Sequence, residues 1–198
     1  LEAYLTADTM AINGMTAPMP TAGCMGEWMT GHIAYIEAQV AAKSSTDVFW
    51  HQVGCLMQQL RGLADGYMAK RSTVGNGTAL PPLTYREVFN YNFAAEWGDV
   101  ATMCYSSDSA ALRRPPRDTH CSALIKITPD DLYVAHDTWG GYGFLKHRVF
   151  KVYELQSTVT MSAYIATIAS GDDWYQTSNQ LAVQETSNDI MNTTLFKA

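Results

Sequence analysis

The hydrophobic period of this chain changes at residue 121, and that change limits the folds open to it. Upstream, apolar residues recur every three or four positions. One stretch carries Trp28, Met29, Ile33, Ile36 and Val40, and the next carries Phe49, Val53, Leu56, Leu60, Leu63 and Tyr67, widened by Met57. This spacing predicts amphipathic helices over 27–43 and 48–70. From Cys121 onward apolar residues alternate or run together, as in Ala123-Leu124-Ile125 and Leu132-Tyr133-Val134-Ala135, which is the pattern of strands. Helices first and strands after them predict an α+β fold, with helices packed on one face of a mainly antiparallel sheet.

Local signals divide the chain further. Leu1, Leu5, Met10 and Ile12 read as a helix end, broken by Gly14, Pro18, Pro20 and Gly23. Ser44-Ser45-Thr46-Asp47 stops one helix and caps the next. The second helix contains Gly54, Gly62 and Gly66, each costing about 1 kcal/mol relative to alanine. Close packing against a sheet is the expected compensation. Thr84-Tyr85-Arg86-Glu87 has the form of a capping box and opens a helix expected to run to about Trp97. Val100 to Tyr105 reads as a short strand. Residues 71–82 read as a loop. Residues 106–119, with Pro115-Pro116 and Arg113, Arg114 and Arg117, read as an exposed linker. Beyond it a hairpin is expected across Thr128-Pro129-Asp130-Asp131, then strands within 144–155, 158–164 and 180–186, with Gly171 to Tyr175 as a turn. Two regions result: a helical segment over 1–120 that ends in the linker, and the first part of a sheet region over 121–198.

Several function classes are excluded. A net charge of -6 with 13 Lys+Arg carries no electrostatic footprint for nucleic acid. No apolar run is long enough to span a membrane. Cys24, Cys55, Cys104 and Cys121 form no C-x-x-C pair, and no histidine cluster has zinc spacing, so no metal site is expected. The sequons at Asn76 and Asn192 are candidate glycosylation sites and lean towards a secretory route. The chain opens on residues that already read as helix and is expected to begin inside an element.

Cys121 stands where an exposed linker meets a rigid strand. An enzyme whose nucleophile is its own first residue needs that arrangement. The thiol attacks the carbonyl of His120, the peptide becomes a thioester, and water releases the upstream segment. The freed α-amine, with an ordinary pKa near 7.7–8.0, then serves as base. A cysteine before an apolar run is also the pattern of a small buried hydrophobe, and spacing alone leaves both readings open. His136 ends the strand paired with the one Cys121 begins, so both belong to one edge of the hairpin. His32 and His51 lie on helices and read as structural or surface residues. His147, between Lys146 and Arg148, reads as a solvated basic patch.

Cys121-Ser122-Ala123-Leu124-Ile125-Lys126, followed by Leu132-Tyr133-Val134-Ala135-His136-Asp137-Thr138-Trp139, closely resembles the signature of the phospholipase B-like family. These are lysosomal or secreted proteins of the N-terminal nucleophile hydrolase superfamily. Leu1-Glu2-Ala3-Tyr4-Leu5-Thr6, Phe49-Trp50-His51-Gln52-Val53, Gln59-Leu60-Arg61-Gly62-Leu63, Ser170-Gly171-Asp172-Asp173-Trp174-Tyr175 and Gln184-Glu185-Thr186-Ser187 extend the resemblance along the chain. It implies an αββα sandwich, represented here by its N-terminal helical part and first antiparallel strands. It implies Cys121 as nucleophile, autocleavage between His120 and Cys121, and His136 as the active-site histidine. Trp139 matches an aromatic of the signature, and Ser187 stands where the family usually has threonine. Asp137 stands where the family commonly has asparagine, an expected negative charge beside the thiol that would raise its pKa.

The implied function is hydrolysis of acyl ester or amide bonds of lipids, phospholipids or N-acyl amides, without a cofactor, in a lysosomal or secreted protein. The family's remaining sheet, with an asparagine and an arginine of its pocket, would follow Ala198. The chain is therefore expected to be part of a longer protein and to have the remainder of its own processed chain as partner. The alternative is a catalytically weak, glycosylated structural or binding component of the same fold.

Overall fold

The computed structural model describes residues 22–71, 82–93, 96–105, 121–138 and 148–186. The expected helix end before Gly14, loop residues 72–81, the linker 106–119, His120, Trp139, His147, Ser187, Asn76 and Asn192 lie outside those residues, while Arg71, expected in the loop, is helical. Among the described residues, four α-helices come first: α1 (Gly23–Lys43), α2 (Val48–Arg71), α3 (Tyr85–Asn92) and α4 (Trp97–Tyr105). Six strands follow: β1 (Cys121–Ile127), β2 (Leu132–Thr138), β3 (Arg148–Glu154), β4 (Thr158–Tyr164), β5 (Trp174–Thr177) and β6 (Ala182–Gln184). All pairings are antiparallel, in a two-stranded β1–β2 sheet and a four-stranded sheet of order β3-β4-β5-β6. The α+β order anticipated from the period change is therefore present.

The helical core is built by α1, α2 and α3. The face that α2 buries is Met57, Leu60, Ala64 and Tyr67, with Val53 and Leu63 partly buried. This corrects the predicted stripe: Phe49 is 64% exposed and Leu56 45%. Phe49 instead meets the edge of Trp50, with ring centroids 5.1 Å apart. Met29 and Val88 are fully buried opposite this face, each contributing about 1.5–3 kcal/mol of hydrophobic burial. Trp28, His32, Phe89 and Phe93 form an aromatic cluster, with Trp28 and His32 stacked at 4.6 Å. Burial lowers the His32 pKa, so this histidine is a packing residue. Arg86 donates to Thr30 Oγ1 at 2.8 Å and to the Gly26 carbonyl at 3.1 Å, tying α3 to α1.

Of the α2 glycines, only Gly54 is crowded. A Cβ there would lie 3.0 Å from Val40 Cγ1, so α1 is the close neighbour, rather than the expected sheet. A Cβ on Gly62 or Gly66 would meet nothing within 4 Å. Gly62 instead lines a cleft of roughly 440 Å³ between α2 and β3, shared with Leu63, Val149 and Lys151.

The capping box forms as predicted, with Thr84 and Glu87 exchanging hydrogen bonds. The helix it opens stops at Asn92 rather than Trp97. Trp97 begins α4, which corrects the strand expected at 100–105. Trp97, Val100, Ala101 and Cys104 stand at i, i+3, i+4 and i+7, a helical face that β-branched Val100 and Thr102 obscure in the sequence. Val100 is 3% exposed. A disulfide joins Cys24 in α1 to Cys104 in α4 across 80 residues. Cys55 and Cys121 form no disulfide.

One side chain links the helices to the four-stranded sheet. Asn92 Nδ2 donates to the carbonyls of Val88 at 2.9 Å and Ala166 at 3.0 Å, while its Oδ1 accepts from Ile168 N–H at 2.8 Å. Ile165 and Ala166 thereby enter the helical core. The segment read as a turn, Gly171 to Tyr175, leads into β5 two residues before that turn was expected to end. Its Trp174 and Tyr175 pair with Gln184 and Val183. The hairpin is more open: Leu124, Ile125, Ile127, Leu132 and Tyr133 are all more than half exposed.

Candidate active site

Strand register decides which side chains share a face. Cys121 opposes Thr138, and Ala123 opposes His136. Alternation then places Cys121, Ala123, His136 and Thr138 on one face of the hairpin, with Cys121 and His136 as diagonal neighbours. Ser122 opposes Asp137, so Asp137 belongs to the other face, where it is exposed. The charge expected from Asp137 beside the thiol is absent. The acid beside the thiol is Asp173, whose Oδ2 accepts a hydrogen bond from Cys121 Sγ at 3.5 Å.

The turn before β5 delivers Asp173. Gly171 has φ +69°, and a Cβ there would lie 2.6 Å from the Tyr164 ring, so the position suits glycine alone. Asp173 itself has φ 60°, a conformation aspartate tolerates better than most residues. Its backbone carbonyl accepts from Glu185 N–H at 2.9 Å, which anchors the turn just beyond β6.

His136 is held in one orientation. Its side chain is fully buried. Thr138 Oγ1 donates to the Asp172 carbonyl at 3.0 Å, and its hydroxyl hydrogen is thereby used. The 3.0 Å contact between His136 Nδ1 and Thr138 Oγ1 is then a bond donated by Nδ1–H. Nε2 is left as a lone pair with no hydrogen-bond partner, 4.0 Å from Asp173 Oδ2. Cys121 Sγ, His136 Nε2 and Asp173 Oδ2 all lie within 4.8 Å of one another. The expectation of no metal-ligand cluster rested on local spacing, and 52 residues separate Cys121 from Asp173.

The two adjacent carboxylates have opposite electrostatics. Burial raises the Asp173 pKa, and the nearby Glu185 and Asp172 add to this, against the lowering effects of Cys121 and His136. Burial also works to raise Asp172, but hydrogen bonds from Ser162, Tyr164 and Arg148 hold it below the usual carboxylate range. The bond from Tyr164 is 2.5 Å long. Asp172 therefore supports the turn, while Asp173 keeps a carboxylate that accepts protons more readily than an ordinary one.

A depressed folded-state pKa contributes stability that is present above the ordinary carboxylate range and lost as pH falls through the depressed value. Asp172→Asn is accordingly expected to lower stability at neutral pH by about 1–3 kcal/mol, the scale of hydrogen bonds to a charged group. Urea denaturation at several pH values measures it. The deficit should shrink on acidification, and a deficit unchanged at low pH would contradict this role.

Sequence reasoning named Cys121 and His136, which the fold brings together, but not the neighbouring Asp173, Thr138 and Asp172. The available signal was two acids after a glycine between strand-like runs, a pattern that also describes any polar turn. A groove of roughly 680 Å³ runs from His136 between the hairpin and β5–β6, with Leu132, Val134, Trp174, Leu181 and Val183 in its walls. Among the described residues, no helix is long and apolar enough to cross a membrane.

Comparison with known proteins gives a consistent result. A family model described as Phospholipase B matches residues 1–198. Phospholipase B-like protein B of Dictyostelium discoideum is 33% identical over 188 residues, covering 85% of this chain and 32% of its own length. Phospholipase B-like protein A of the same organism is 30% identical over 196 residues, covering 85% of this chain and 34% of its own. Phospholipase B-like 1 of Homo sapiens is 31% identical over 163 residues, covering 77% and 29%. The chain thus spans about a third of the length of these relatives.

Proposed function

This chain belongs to the phospholipase B family, and on that premise we propose that it is the nucleophile-bearing part of a hydrolase that cleaves acyl ester or amide bonds of lipids. The observation that carries this reading is the convergence on Cys121: a thiol on the first residue of β1, 3.5 Å from Asp173, beside the bare Nε2 of a buried histidine. A family name that denotes a hydrolase supports the reaction class.

In this reading the fold is of the N-terminal nucleophile type and the chain is first cut at His120–Cys121. Asp173 takes the thiol proton, and Sγ bonds to the carbonyl carbon of His120. The C–N bond breaks, the Cys121 amine takes up a proton, and water hydrolyses the thioester. Residues 1–120 and 121–198 become separate pieces. In turnover the new α-amine accepts the thiol proton and returns it to the leaving group, so each acyl group passes through Sγ to water. His136 orients the substrate by accepting a hydrogen bond at Nε2. Trp139 and Ser187, outside the described residues, are proposed as further catalytic residues on the family resemblance alone. The groove beside His136 has the apolar lining an acyl chain requires. The remainder of the longer protein supplies the rest of the pocket and covers the open faces of the hairpin.

The Cys24–Cys104 bridge is typical of an oxidising compartment. It supports a lysosomal or secreted protein with glycans at Asn76 and Asn192. The carboxylate beside the thiol is Asp173 rather than Asp137.

Incubation at acidic, lysosome-like pH followed by intact mass analysis and N-terminal sequencing tests the proposal. A fragment beginning at Cys121 is expected. A folded chain that stays uncut under those conditions overturns it.

A further inference from the structure

We propose that Cys121, His136 and Asp173 form a binding site for a borderline-soft divalent cation, Zn²⁺ foremost, and that the bound ion switches the thiol off. Sulfur, imidazole nitrogen and carboxylate oxygen together are the donor set of zinc sites. Calcium and magnesium require mostly oxygen ligands. Bond lengths of about 2.3 Å to sulfur and about 2.0–2.2 Å to nitrogen and oxygen imply ligand–ligand edges of roughly 3.3–3.6 Å around a tetrahedral ion. Here the Sγ–Oδ2 edge is 3.5 Å and the Nε2–Oδ2 edge 4.0 Å, with the third edge within 4.8 Å. A contraction of side-chain size closes the site.

The histidine is the independent observation. A metal-binding imidazole donates its other N–H to a neighbour, which fixes the tautomer and aims the lone pair. The bond from His136 Nδ1 to Thr138 Oγ1, itself committed to the Asp172 carbonyl, does this. Nε2 is buried, lacks a hydrogen-bond partner and faces the other two donors. Cys121 and Asp173 are only partly buried, so an ion can enter and a fourth position stays open to water. Binding forms a metal–sulfur bond and releases the thiol proton to solvent, with no change of oxidation state. Sulfur that shares a lone pair with the metal is a weaker nucleophile towards a carbonyl carbon than the free thiolate. That last consequence rests on Cys121 being the nucleophile, whereas the binding itself does not.

Cobalt(II) is the probe, because a thiolate–cobalt bond gives a charge-transfer band in the near ultraviolet and tetrahedral cobalt absorbs strongly in the visible. Cys55 is exposed and lies 3.9 Å from His51 Nε2, so titrations use a Cys55→Ser background. One cobalt per chain is expected, displaced by Zn²⁺. The band should vanish in Cys121→Ser, and affinity should fall at least tenfold in Asp173→Asn, whose side chain is partly exposed and whose loss spares the core. No thiolate–cobalt band, or a band that survives Cys121→Ser, overturns the site. Cobalt binding by a chain that hydrolyses nothing would uphold the site and count against the hydrolase alone. Hydrolysis unaffected by saturating Zn²⁺ would overturn the switch.

Discussion

Cys121→Ala is expected to leave the chain uncut at His120–Cys121 and to reduce acyl hydrolysis at least a thousandfold, roughly the scale on which loss of a covalent nucleophile acts. Both effects have one cause. The atom that would bond to the His120 carbonyl carbon and later to each acyl group is the same Sγ, and alanine has no replacement for it. The fold should be indifferent. Cys121 is half-buried at the end of a strand, and its register with Thr138 is made by backbone groups. Stability should therefore stay within about 1 kcal/mol of wild type, so circular dichroism separates lost chemistry from lost structure. Cys121→Ser supplies a graded control: a hydroxyl in the same place, less nucleophilic at neutral pH, should give slow cleavage. A Cys121→Ala chain that is still cut at this bond, or still turns over acyl substrate, would falsify the assignment of the nucleophile.

The largest effect on stability is expected from removing the Cys24–Cys104 disulfide. The bridge closes a loop of 80 residues that contains α2 and α3. Opening it restores to the unfolded chain the freedom that closure had removed, about 4 kcal/mol in the chain-entropy account. That is a large fraction of the 5–15 kcal/mol by which a typical domain is stable. The Cys24→Ser/Cys104→Ser double variant should accordingly lose about 4 kcal/mol in urea denaturation and melt roughly 10 °C lower. Changing both cysteines avoids a stray thiol. A double variant within about 1 kcal/mol of wild type would show that the loop's ends are already held by packing.

Much of this fold was legible because its signals are local. The periodic runs of α1 and α2, the Thr84–Glu87 capping box and the hairpin from Cys121 to Thr138 each lie within a short window, where backbone geometry alone relates the residues. The errors arose where distant residues decided. The buried face of α2 turned towards Ala64 and Met57 because α1 and α3, rather than a sheet, pack against it. The segment 100–105 is helical because Trp97 and Val100 share a buried side, while its β-branched residues suggested a strand. Cys121 and His136 could be related from the hairpin because both belong to it. Asp173 could not, since the turn beyond β4 carries it to the thiol and no local spacing records that approach. Asp137 shows the complementary error: it is adjacent to His136 in sequence, and strand alternation sends it to the opposite face.

The position of the disulfide has a further consequence for connectivity. Both of its cysteines lie upstream of His120–Cys121, and the described thiols that remain, Cys55 and Cys121, are unbridged. The bridge therefore cannot span the proposed cut. Among the described residues, the two pieces would be joined only by contacts such as the Asn92 bonds to Ala166 and Ile168 and the packing of Ile165 into the helical core. Within residues 1–198 the proposed cut would leave two pieces with no covalent link between them. The association of those two pieces would then obey mass action and weaken on dilution, and unreduced denaturing electrophoresis of the 198-residue chain would separate them.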